Sequence, residues 1–194
     1  MKTVAHSRPL LWLILAVPGL WMLGRWAVTP ELYGYGHIIG DTGEWAVWLL
    51  MLTLAVTPIR LMFRRQNWAQ WLMRRRRDLG VASFAYAASH TIIYLIRKGS
   101  LDILLTELST PYILIGWFAL ALFVPLAATS NDFATRALKR SWKRLHRLVY
   151  PAAILVFLHW VLLAFDPTTA FIHIAILTVI ELVRVGLQWR QRVT

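Results

Sequence analysis

Residues 144–160 read RLHRLVYPAAILVFLHW, and this stretch decides the fold. Beyond Arg147 it is apolar except for Tyr150 and His159, and the run continues to Phe165. That gives about 20 residues, the length needed to cross the hydrocarbon core of a bilayer. A segment built for lipid nevertheless carries two imidazoles, His146 and His159, 13 positions apart. Ionisable groups inside a membrane are costly and need a reason to be there.

The rest of the chain has the same character. Of its 194 residues 58% are hydrophobic and 15% charged, and the apolar residues fall in long blocks rather than in alternation. Six blocks are long enough to span: residues 10–28, 44–62, 79–96, 111–128, 145–165 and 169–187. Lys2 and Arg8 precede the first block as they would a signal peptide, but no small-residue cleavage site follows, so it is expected to stay as a helix. The composition therefore predicts an all-α polytopic membrane protein, a six-transmembrane-helix bundle forming a single domain over residues 1–194.

Charge gives the orientation. The N-terminal tail, the 60–78 and 129–147 loops and the stretch from Arg184 onward hold 18 of the 21 Lys and Arg, and the opposite loops hold only Arg25, Arg97 and Lys98. The asymmetry predicts that both termini face the cytoplasm. The net charge of +12 is thus topological and does not imply nucleic acid. Trp26, Trp45, Trp68, Trp71, Trp142 and Trp189 fall near proposed span ends, where interfacial rings belong. No tandem repeat, GxGxxG or GxxxxGKS stretch is visible. With no cysteine in the chain, disulfides, thiolate chemistry, iron–sulfur clusters and covalent c-type haem are excluded.

Depth sorts the histidines. His6 and His37 read as solvated side chains of the N-terminal tail and an outer loop, and His173 as an interfacial or structural residue at the outer end of span six. His90 and His159 are deeper. Spans three and five run in the same direction, and His90 lies 11 residues past Leu79 while His159 lies 14 past Leu145. At 1.5 Å per residue these depths are about 16 and 21 Å, close enough for two helices to offer imidazoles to opposite faces of one planar macrocycle. Bis-His ligation of haem gives a six-coordinate iron suited to one-electron transfer. Gly80, Ser83 and Ala87 form a small-residue stripe on the face of His90, as a flat ring would require. The plainer alternative is that each histidine is a helix–helix hydrogen-bond partner and the stripe an ordinary packing face.

His146 lies about 20 Å below His159, at the level of a second haem. Thirteen residues at about 100° each leave the two side chains about 220° apart on a straight helix, although Pro151 between them is expected to bend it. Span three has no histidine at that lower level; Arg76 and Arg77 stand there, suited to haem propionates or, less conventionally, to the iron itself.

Five stretches resemble a known family: VTPIR (56–60), RRRRDLGVASFAYAASH (74–90), TPYILIGW (110–117), LAATSND (126–132) and WKRLHRLVY (142–150). In this order they resemble the ferric-reductase-like transmembrane domain shared with NADPH oxidases. Within it they are most similar to the haem-binding membrane subunit of the periplasmic protein-methionine-sulfoxide reductase system of Gram-negative bacteria. The resemblance implies a multi-pass subunit of the bacterial inner membrane. Such a subunit passes electrons from the quinone pool, or from a cytoplasmic flavin reductase, through b-type haem to a periplasmic molybdopterin enzyme that reduces methionine sulfoxide in envelope proteins. It implies His90, His146 and His159 as iron ligands, one haem or two, and FMN on resemblance alone. The third span of NADPH oxidases carries two haem ligands, whereas Arg76 and Arg77 occupy the lower level here, which leaves the haem count open. The flavin domain of those oxidases has no counterpart in this sequence, so the donor is expected to be a separate molecule. The alternatives are a stand-alone b-type ferric or quinone reductase, a proton-coupled transporter, for which Glu181 alone offers an intramembrane carboxylate, and a haem-free assembly factor.

Overall fold

Backbone polar groups in lipid have to be satisfied within their own segment, so apolar spans without water must be helices or closed barrels. The computed structural model describes residues 7–193, so Lys2 and His6 lie outside the described residues. Among those residues there is no strand. The helices are Arg8–Val28 (α1), Tyr35–Met62 (α2), Asn67–Lys98 (α3), Leu101–Glu107 (α4), Pro111–Ala128 (α5), Asp132–Leu138 (α6), Arg140–Leu145 (α7), Val149–Leu163 (α8) and Thr168–Val193 (α9). A 3₁₀ turn, His146–Leu148, joins α7 to α8. Six segments are long and apolar enough to cross a membrane: α1, α2, α3, α5, the run from α7 through α8, and α9. The protein is an all-α, multi-pass membrane protein.

The ends differ from the sequence reading where charge obscured periodicity. α2 begins at Tyr35, nine residues before the expected 44, and α3 at Asn67, twelve before 79. The run Arg74–Arg77 is therefore helical, a segment that hydropathy alone excludes. The bend expected at Pro151 is instead a restart. Pro151 cannot donate to the Arg147 carbonyl, so α8 starts at Val149 after the 3₁₀ turn, with the proline in its first turn where no N–H is missed.

The chain forms two units: one holds the residues up to Arg97 with those from Glu181 onward, the other is Lys98–Ile180. In the first unit, Met22, Ile38, Leu49, Val56, Leu79, Ala82 and Tyr86 form a core joining α1, α2 and α3. Ser83 donates to the Ala46 carbonyl at 2.8 Å, holding α3 closely on α2. α1 is fastened at two places. Asp78, nearly inaccessible to solvent, accepts from Arg8 Nε at 2.9 Å and Trp12 Nε1 at 3.3 Å. Higher up, the Tyr86 hydroxyl accepts from Gly19 N–H at 2.9 Å and donates to the Leu15 carbonyl at 2.8 Å, the two ends of one i→i−4 helical bond. The adjacent Pro18 loosens this turn, and Gly19, whose Cβ would stand 3.3 Å from the hydroxyl, leaves room for it.

In the second unit, α5 packs along α8 through Ala119, Phe123 and Leu126 on one side and Ala152, Ala153 and Phe157 on the other, all buried. Leu20, Phe118, Ile154, Phe171 and Val179 remain exposed, the arrangement expected where lipid rather than water covers the outside.

Candidate functional site

His90 stands eight residues before the end of α3, and its ring lies against α2. Nδ1 is 2.9 Å from the Ile39 carbonyl oxygen. A carbonyl only accepts, so the bonding assigns the proton to Nδ1 and leaves the lone pair on Nε2. His159, four residues before the end of α8, repeats the arrangement against α5: Nδ1 is 2.6 Å from the Tyr112 carbonyl oxygen. A histidine whose Nδ1–H is held by a carbonyl carries its lone pair on Nε2, and this is the tautomer that binds metal through Nε2. The donor set thus fits the haem expected from sequence.

Two glycines make this possible, and the sequence reading missed both. A Cβ at Gly43 would come 3.1 Å from His90 Nδ1, and one at Gly116 would come 3.0 Å from His159 Nδ1. A helical glycine has no recognisable signal in one sequence until its neighbour across the interface is known.

His146 is placed differently. It lies in the 3₁₀ turn, stacked on Trp142 with centroids 3.9 Å apart, and its Nε2 is 3.1 Å from Thr129 Oγ1. That hydroxyl donates its proton to the Pro125 carbonyl at 2.6 Å, so it accepts from His146 Nε2–H, and the His146 lone pair lies on Nδ1. Trp142 Nε1 also donates to the Thr129 carbonyl at 2.9 Å, tying the end of α5 to α7. The tautomer of His146 is therefore the reverse of that of His90 and His159.

Arg76 donates Nε–H to the Thr53 carbonyl at 2.9 Å, in the stretch of α2 loosened by Pro58, and Arg77 beside it is half-buried. The small-residue stripe of α3 serves packing: a Cβ on Gly80 would meet Thr53 Cγ2 at 3.6 Å, and Ser83 is spent on Ala46. His173 is buried in α9, bonded through Nδ1 to the Thr169 carbonyl at 2.7 Å and packed on Trp160 at 5.0 Å. His37 is exposed as expected but lies in the first turn of α2, stacked on Tyr33. Among the described residues no three His, Asp or Glu side chains gather to hold a bare metal ion.

Residues 42–165, which contain both glycine-backed histidines, match the family of ferric reductase like transmembrane components. The chain belongs to the ferric-reductase-like transmembrane family. Within this family it is similar to the heme-binding subunit MsrQ of protein-methionine-sulfoxide reductase. It is 36% identical to that of Ralstonia nicotianae over 97% of this chain and 89% of the relative. It is 36% identical to that of Xanthomonas axonopodis pv. citri over 92% of this chain and 83% of the relative. To the Xanthomonas campestris pv. campestris protein it is 40% identical over 72% of this chain and 64% of the relative.

Proposed function

We propose that the protein is the b-type haem electron-transfer subunit of a protein-methionine-sulfoxide reductase, seated in the bacterial inner membrane with both termini cytoplasmic and forming one membrane domain. The observation that carries this reading is the pair of imidazoles, His90 and His159, each held by a backbone carbonyl in the tautomer that ligates through Nε2. The similarity to heme-binding MsrQ subunits supports it. When bound, haem would supply a one-electron carrier, with His90 and His159 as the residues to hold it.

The residues of this chain then have separable tasks. The Ile39 and Tyr112 carbonyls fix ring orientation and raise the basicity of Nε2 in each imidazole. Arg76 and Arg77 offer positive charge to propionates at the Lys/Arg-rich end. His146 is the third candidate ligand, for a second haem at that end; ligation through Nε2 requires release of its bond to Thr129. Electrons enter from the quinone pool or a cytoplasmic flavin reductase and leave to a periplasmic molybdopterin partner, in which the sulfoxide chemistry takes place. Two one-electron transfers and two protons reduce one sulfoxide and release water. FMN rests on family resemblance alone.

The experiment is reconstitution in liposomes with a catalytic amount of the partner outside: chemically reduced subunit should be fully reoxidised only when the partner and methionine sulfoxide are both present, and not by methionine sulfoxide alone. Reoxidation by ferric chelates without any partner would favour the second reading, a stand-alone b-type reductase, which the ferric-reductase family match supports.

A further inference from the structure

The two units contain the same local construction. In α2, Gly43 is followed at 3, 7 and 10 positions by Ala46, Leu50 and Thr53, all buried. In α5, Gly116 is followed at the same intervals by Ala119, Phe123 and Leu126, all buried. Seven residues before each histidine is a small buried residue, Ser83 in α3 and Ala152 in α8. The accepting carbonyl lies four residues before the glycine in both cases: Ile39 before Gly43, and Tyr112 before Gly116. Of the four helix positions only Gly and Ala coincide in type, which is why no repeat is visible in sequence.

The spacing of four has a physical reason. In a helix the carbonyl of residue i meets the N–H of residue i+4 and retains a second lone pair. Each Cα–Cβ bond tilts toward the N-terminus, so the side chain at i+4 covers that carbonyl. A glycine at i+4 uncovers it. The imidazole can then lie flat where the Cβ would be and donate to the second lone pair. The cost is the poorer helix propensity of each glycine relative to alanine.

We propose that Gly43 and Gly116 are the positioning residues of the two axial histidines. They open the Ile39 and Tyr112 carbonyls to Nδ1–H and so set the ligating nitrogen, the ring orientation and the reduction potential of the haem. The inference rests on the reading of His90 and His159 as haem ligands. It goes further in naming the residues that make them ligands of one fixed tautomer. Gly116 is the tighter seat, since its Cβ would meet His159 Nδ1 at 3.0 Å and Cε1 at 3.1 Å, against 3.1 and 3.4 Å at Gly43.

The test uses the full chain in detergent, first haem-free with ¹⁵N-labelled histidine and then haem-loaded. In the haem-free protein, nitrogen chemical shifts should show His90 and His159 protonated on Nδ1, and G43A and G116A should each lose this for its own histidine. In the loaded protein, G116A should retain haem about 10- to 100-fold less tightly, with G43A affected less. Both should shift the low-spin EPR g-values and raise the midpoint potential, because the axial nitrogen loses basicity. G40A is the control on α2, because a Cβ there meets nothing within 4 Å, and it should behave as wild type. Nε2-protonated histidines in the wild-type chain would overturn the proposal whether or not the variants fold. So would G43A and G116A with unchanged g-values, potential and haem retention. A wild-type chain that takes no haem would overturn the functional reading instead, and the tautomer measurement would still decide the two seats.

Discussion

His159 donates its Nδ1–H to the Tyr112 carbonyl at 2.6 Å, so the nitrogen left to bind a metal is Nε2. His90 has the same relation to Ile39, and His146 has the reverse one to Thr129. The three histidines are therefore not equivalent, and their removal should separate them.

Under the proposed ligation, replacing either His90 or His159 by alanine should abolish the same low-spin haem. His146→Ala should remove only part of the haem. Optical difference spectra with haem counted per chain check both statements. A full low-spin spectrum in His90→Ala or in His159→Ala contradicts the pairing, and complete loss in His146→Ala would give that residue a folding role.

Tyr86→Phe should destabilise the protein by about 1 kcal/mol, the net loss of hydrogen bonds to two half-buried backbone groups. The hydroxyl satisfies both Gly19 N–H and the Leu15 carbonyl, and no other atom of the ring can. Thermal unfolding in detergent should show a lowered midpoint while the haem spectrum at low temperature is kept, since Tyr86 fastens α1 rather than holding a ligand.

Asp78→Ala should loosen the Lys/Arg-rich end of α1. The carboxylate is buried and meets Arg8 at 2.8 Å and Arg75 at 3.7 Å, with Trp12 as a further donor. The Arg8 side chain is 61% exposed and can return to water, so the loss should be about 1–3 kcal/mol rather than that of a fully buried pair. Faster proteolysis or hydrogen exchange confined to the first turns of α1 is the expected result.

Tyr33, in the loop between α1 and α2, has its phenol pushed well above the ordinary value by burial first and then by the hydrogen bond to Asp41. The folded state therefore holds this proton more tightly than the unfolded state does. The stabilisation is complete below about pH 10, the unfolded value, and is lost as pH rises toward the folded one. A Tyr33→Phe variant should show a flatter loss of stability above about pH 10 than wild type, in unfolding midpoints measured across that range.

The sequence made the six spans legible because hydropathy reports burial in lipid directly, and α5 begins and ends where apolarity alone places it. It misplaced the starts of α2 and α3, since His37 and Asp41 interrupt the apolar run at the start of α2 and residues 74–78 interrupt it in α3. His90 and His159 stood out as ionisable groups in lipid. Gly43 and Gly116 did not, because their meaning lies in a ring contributed by another helix. The stripe Gly80–Ser83–Ala87 carried two meanings that periodicity cannot separate, a flat ligand or a close helix. Gly80 and Ser83 serve the close helix, α2.

The most direct measurement is a reduced-minus-oxidised optical spectrum of the purified chain, with pyridine haemochrome quantification, on wild type and His159→Ala expressed with ample haem. The wild type should give a low-spin b-type spectrum, and the variant should lose the haem that His90 and His159 are proposed to share. A wild-type chain without haem, or a variant with an unchanged spectrum, would contradict this.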